Sequence, residues 1–171
     1  MGRRSTRSIG FILGVLALCL LIGGCSSKPA SAKTSIYNDS AKIAEEGDSY
    51  TFTDKQGNVD SDGGDMSYKG FSGMITLWSV DNPSTEEGTL TISWKLITAK
   101  GQGKLVYLSP DGTTQVLAEG DSDGELQLKI PAGTGRIKLV GQTAKGSLSA
   151  DLSSSEGLAV SGEQDSDWAN D

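Results

Sequence analysis

The chain has 171 residues, with 15 basic and 22 acidic side chains, a formal net charge of −7 and no histidine. The missing imidazole excludes His-based acid–base chemistry, Ser-His-Asp and Cys-His nucleophile activation, and the usual zinc sites. The acidic balance argues against nucleic-acid phosphate as a partner, because like charges repel.

The first 24 residues fall into three parts. Arg3, Arg4 and Arg7 form a basic segment without acids, residues 9–22 (IGFILGVLALCLLI) are uncharged and mostly apolar, and Gly23-Gly24 stand before Cys25. The apolar run is too short for a spanning helix and follows the order of a secretory signal. This arrangement resembles a bacterial lipoprotein signal, in which the cysteine thiol receives a diacylglyceryl group and the preceding peptide is removed. The resemblance implies that Cys25 is lipidated and that the protein is anchored outside the cytoplasm, on the outer face of the cell membrane in a Gram-positive organism. An ordinary cleaved signal and an uncleaved anchor helix are the alternatives. Two acyl chains give a lasting attachment where one gives a marginal one. Loss of residues 1–24 removes three arginines and no acid, moving the charge from −7 to −10, so the lipid rather than a basic patch would hold the membrane. Cys19 leaves with the signal and Cys25 carries the lipid, which leaves packing alone to stabilise the remainder.

Residues 25–33 read as a flexible lipidated tether, small, polar and proline-bearing. Residues 34–65 read as a loop-rich extension, with a short helix over 38–46 capped by Asn38 or Asp39, a strand at 50–53, and turn chemistry over 56–65. Strands follow at regular spacing. Residues 73–80 form the first, closed by Asp81-Asn82-Pro83. Over 89–98 the pattern is clearest: Leu90, Ile92, Trp94 and Leu96 point one way and Thr89, Thr91, Ser93 and Lys95 the other, as a half-buried strand requires. Residues 104–109 run into Pro110-Asp111-Gly112 and return over 114–118, a hairpin. Residues 125–130, 136–140 and 147–152 complete the set, with a loop at 143–146. The expected fold is all-β, an antiparallel two-sheet β-sandwich of about seven strands over residues 66–152, with a small barrel as the alternative. Residues 153–171 hold five acids and no base and read as a disordered acidic tail.

Gly103-Lys104, Pro110-Asp111-Gly112, residues 136–141 (RIKLVG) and Ala144-Lys145-Gly146, with Tyr68-Lys69-Gly70-Phe71 leading in, resemble segments of small uncharacterised secreted lipoproteins, mostly of Gram-positive bacteria. The likeness covers about half of the chain after the signal. It implies a C-terminal β-sandwich and brings no activity or site residues with it.

Candidate sites are sparse. Asn58-x-Asp60-x-Asp62-Gly63 has the first half of a calcium-binding loop, but Lys69 stands where the bidentate Glu belongs and no helix flanks it. A solvated loop is the plainer reading, there and at Asp121 to Glu125. Trp78 is a candidate for stacking on a sugar ring, whereas Trp94 continues an inward stripe and reads as core. Lys104, Lys129, Arg136 and Lys138 read as a solvent-facing basic side that protects edge strands. No catalytic residue and no cofactor is implied. The expected function is that of a non-catalytic, lipid-anchored envelope protein with a structural or protein-interaction role. A module binding glycan or cell-wall polymer is the alternative, and a carboxylate-based hydrolase is the third reading.

Overall fold

The computed structural model describes residues 29–162. Cys25, the start of the tether and residues 163–171 lie outside the described residues. The chain is antiparallel β, as its alternating stripes require. Eight strands form one hydrogen-bonded sheet: β1 (Ser49–Thr51), β2 (Asp54–Asp60), β3 (Gly63–Asn82), β4 (Gly88–Leu108), β5 (Thr114–Glu119), β6 (Ser122–Ile130), β7 (Gly133–Ser154) and β8 (Ala159–Gly162).

Three long strands in the order β3-β7-β4 carry the architecture. The segments expected at 89–98 and 104–109 are one strand, β4, and those at 136–140 and 147–152 are one strand, β7. The loop expected at 143–146 is therefore strand. Each long strand breaks register near its middle: β3 between Tyr68 and Gly73, β4 between Thr98 and Gln102, with β7 opposite. The bend needs unusual backbone. Gly101 has φ 73° and Thr143 φ 49°, and a Cβ at Gly101 would meet the carbonyl oxygens of Gln142 and Thr143. A glycine there lets two strands approach at the crease without strain.

The crease divides the sheet into halves. In the first, β2, Gly63 to Lys69 of β3, Ser147 to Ser154 of β7, Gly88 to Thr98 of β4, and β6 lie side by side. In the second, β1 and β8 flank β3 on one edge and β5 flanks β4 on the other. Two sheets of about seven short strands were the expectation; long strands that continue through the crease in one hydrogen-bonded sheet are the finding. Both halves feed one core, in which Leu90, Ile92, Leu96 and Leu148 of the first meet Ile75, Leu77, Trp78, Ile137 and Leu139 of the second.

Segments outside the expected 66–152 domain are ordered too. A helix α1 (Pro29–Thr34) occupies the end of the expected tether. A 3-10 turn (Ser35–Asn38) and a helix α2 (Ser40–Ile43) follow, with Asp39 accepting from the Lys42 amide as N-cap. The expected acidic tail is strand up to Ser154 and again in β8, whose Val160 pairs with Val80. Leu158 and Val160 pack on the core, which gives this acidic stretch its anchorage.

The segment from α1 to α2 straps the outer face of the second half. Ile36, Tyr37 and Ile43 bury against Met74, Val106 and Val140, one residue from each long strand. Polar bonds complete the seam. Asp48 accepts from the Thr76 amide at 2.9 Å and hydroxyl at 2.8 Å, Tyr37 donates to Glu119 at 2.7 Å, and the Lys138 ammonium donates to the Glu45 and Gly47 carbonyls.

Candidate functional site

Among the described residues, no segment straps the outer face of the first half. Strand alternation places Leu148, Ala150 and Leu152 inward and Ser147, Ser149 and Asp151 outward on β7. Register then assembles two rows across four strands. Gln56 of β2 lies opposite Ser67 of β3, Ser67 opposite Ser147 of β7, and Ser147 opposite Ile97 of β4. One step along, Asn58, Asp65, Ser149 and Lys95 form the second row. With strands about 4.8 Å apart, each row spans roughly 14 Å.

The middle of the first row is short and its ends are long, and in the second row Ser149 is short between Asp65 and Lys95. The result is an open trough of about 500 Å³, floored by Ser67, Ser147 and Ser149 and flanked by Gln56 and Asp65 on one side and Lys95 and Ile97 on the other. Two depressions adjoin it. One, of about 270 Å³, runs toward the crease past Asp54, Lys69 and Lys145; there Lys69 is paired with Asp54 at 2.7 Å. The other, of about 500 Å³, runs toward the β2–β3 turn past Asn58, Asp60, Asp62, Asp65 and Asp151. The trough is therefore cationic at one end and anionic at the other. Ile97 is 40% exposed and supplies an apolar side to an otherwise polar channel.

Asn58, Asp60 and Asp62 lie at the acidic end, on a β-hairpin rather than a loop wrapped around an ion. Asp60 accepts from the Asp62 amide at 2.9 Å, and Asn58 donates to the other Asp60 oxygen at 3.5 Å, so the Asp60 carboxylate builds the turn. Among the described residues, no group of three or more His, Cys, Asp or Glu side chains converges as a metal site.

Trp78 is not a ligand platform. A register shift between Thr76 and Trp78 turns its ring into the core, where it is 0% exposed and donates to the Asp60 carbonyl at 2.8 Å. Trp94 packs on the core as its stripe implies, but only in part. Its ring lies across Gly124 of the edge strand β6, and its Nε1 has no partner among the described residues.

Of the basic side expected at Lys104, Lys129, Arg136 and Lys138, only Lys129 is exposed. Lys138 is 0% exposed beneath the strap, where burial pushes its ammonium below the usual lysine range. Lys104 stands over the Tyr37 ring at 4.5 Å and is likewise held down by burial. Burial, then the bond to Glu119, pushes the Tyr37 hydroxyl well above the ordinary phenol value. These groups serve the seam, not a site.

The trough residues escaped sequence reading. A run such as residues 147–152 (SLSADL) reveals which residues face out, but not that Ser67 and Gln56 lie beside them across strands.

No family matches this chain, and no curated protein matches it. Two solved structures with some similarity are carbohydrate-binding modules. A family 35 carbohydrate binding module from an environmental isolate is 18% identical, at a TM-score of 0.31, over 64% of this chain and 79% of that one. Xyl-CBM35 in complex with glucuronic acid containing disaccharide is 18% identical, at a TM-score of 0.32, over 66% of this chain and 91% of that one. Similarity at this level assigns neither residue nor ligand.

Proposed function

We propose that this protein is a non-catalytic glycan-binding module of the cell envelope, anchored by lipid on Cys25, and that the trough is its binding surface. The observation that carries this reading is the trough floor: three serines from two long strands, with Gln56, Asp65 and Lys95 standing above them. A glycan strand presents hydroxyls on its edges and C–H groups on its ring faces. Amide, carboxylate and ammonium groups bond hydroxyls directionally, and Ile97 offers an apolar surface for the C–H face. The volume lies within the range of ligand sites, and the open ends suit a polymer better than a small molecule.

The exposure of the carboxylates supports binding rather than hydrolysis. Asp60, Asp62, Asp65 and Asp151 are all exposed. A general acid working at neutral pH needs burial or a closely held partner to stay protonated.

The test is binding of the secreted chain to isolated envelope polysaccharide by co-sedimentation and calorimetry. Lys95→Ala and Gln56→Ala should each weaken binding by about tenfold, the loss of one or two hydrogen bonds at about 0.5–1.5 kcal/mol each. Because both side chains are exposed, stability should stay within about 0.5 kcal/mol of the parent. Unchanged binding in both variants would remove the trough from the reading. Absence of binding to every envelope glycan, with capture of a single envelope protein instead, would favour the interaction role.

A further inference from the structure

We infer that the strapped face of the protein is the surface presented to the lipid bilayer, so that the trough faces away from the membrane. The inference rests on the lipidation of Cys25 proposed above. Ser26, Ser27 and Lys28 separate Cys25 from Pro29, the first residue of α1. Four Cα steps of about 3.3–3.6 Å reach at most about 14 Å. The six residues of α1 add about 9 Å at 1.5 Å each. Beyond them the chain is fixed, because Ile36 and Tyr37 are buried on the sheet. The lipid is thereby confined to within roughly 25 Å of the strap's docking point, the sum of those two reaches.

The docking is held in two ways. Ile43 joins the apolar contact with Met74, Val106 and Val140, and the fully buried Lys138 binds carbonyls at the far end of the strap. The trough belongs to the outer face of the other half, with the whole core between. Packed sheet layers stand about 10 Å apart, and each carries its own outer layer of side chains. A tether this short brings the strap nearest the bilayer and leaves the trough on the far side, open to envelope polymer.

The strapped face is not basic. Glu45, Glu46 and Asp48 are exposed there, so its approach to the membrane comes from the tether and not from anionic lipid.

Full-length protein, lipidated in cells, carries one fluorophore at Ser40→Cys on the strap or at Ser149→Cys in the trough. The Cys25 sulfur, being thioether-bonded, does not take the label. Each protein is reconstituted into vesicles containing a lipid with a quencher on its headgroup. Strong loss of fluorescence at position 40 and little at position 149, the same in zwitterionic and anionic vesicles, is the expected result. A Gly-Ser insertion of about twenty residues after Ser27 adds a random-coil reach of roughly 25 Å and should abolish the difference. Equal quenching at both positions with the native tether, or stronger quenching at 149, overturns the orientation while leaving the anchor intact. An unmodified Cys25 by intact mass, with failure to float with vesicles, overturns the anchor and the orientation together.

Discussion

Replacing Trp78 by Ala removes a ring with none of its surface exposed, from the place where β3 shifts register against β7. Truncation of a buried Trp costs about 3–5 kcal/mol in transfer and cavity terms. The Trp78 Nε1 bond to the Asp60 carbonyl, at 2.8 Å, adds about 0.5–1.5 kcal/mol. The sum is about 4–6 kcal/mol, against a total stability of about 5–15 kcal/mol for a domain of this kind. Trp78→Ala should therefore bring the protein close to unfolding. Phe isolates the hydrogen bond. Trp78→Phe keeps most of the packing and should cost about 1–3 kcal/mol, since it leaves the Asp60 carbonyl without its donor. Trp94 gives the internal control. Its Nε1 is buried without a partner among the described residues, so Trp94→Phe removes an unsatisfied donor along with some contact and should change stability by less than about 1 kcal/mol. Urea unfolding followed by far-UV circular dichroism measures all three, with a constant m-value as the check on two-state behaviour. If Trp94→Phe is the more damaging of the two Phe variants, the assignment of Trp78 as the buried, bonded ring is wrong.

Three further substitutions test the crease and the core. A Cβ at Gly146 would strike the Ile97 carbonyl oxygen, a backbone contact that cannot rotate away, so Gly146→Ala should cost about 3 kcal/mol in thermal or urea unfolding. Gly112, with φ 85° and nothing within 4 Å, pays only for its conformation, so Gly112→Ala should cost about 1–2 kcal/mol. Equal losses would refute the close backbone approach of Gly146 to Ile97 at the crease. Burial pushes the Tyr68 hydroxyl up from 10.0 to about 12. The folded state thus favours the neutral phenol, and its contribution is intact below pH 10 and lost as pH rises toward 12. At about 1.4 kcal/mol per unit the loss approaches 3 kcal/mol. Tyr68→Phe should flatten this part of the stability–pH curve and cost little at pH 7, because the hydroxyl has no partner to lose among the described residues. A curve that keeps its full slope in Tyr68→Phe would assign the titration to another group.

The half-buried strands were readable because period two is a property of the backbone. Leu90, Ile92 and Leu96 alternate with polar residues, and all three are buried. The joining of segments was not readable. Residues 99–103 (AKGQG) carry the composition of a loop, yet their hydrogen bonds run across the crease to β7, and hydrogen bonding leaves no trace in composition. The strap hid for a related reason. Met74, Val106 and Val140 make the second half apolar on both faces, which shows as unbroken runs such as residues 105–108 (LVYL). Such runs announce a second covering layer without saying which segment provides it. Over residues 153–171 the five acids dominated the average, while two apolar side chains, Leu158 and Val160, determine where the part up to Gly162 packs. Trp78 reads as a candidate sugar platform because a one-residue register shift reverses every side chain beyond it, and nothing local marks the shift.

The same three strands present two different outer faces, and that contrast is the strongest indication of where function lies. In the second half the outward positions are Met74, Val106 and Val140, apolar and closed by the protein's own N-terminal segment. In the first half they are Ser67, Ser147, Ser149 and Lys95, polar and open. An apolar face must be covered for the fold to be stable, whereas small polar residues cost nothing when left in water. Stability therefore accounts for the strap, and it would accept many residues at the trough. Long Lys, Glu or Arg side chains would shield that face equally well, as they do on most exposed sheets. Serine on two adjacent strands instead lowers the floor while Gln56, Asp65 and Lys95 keep the walls. Cross-strand register joins residues about eighty positions apart to make that floor, Ser67 with Ser147. No segment of the sequence contains the trough, and only the pairing of β3 with β7 brings it into being.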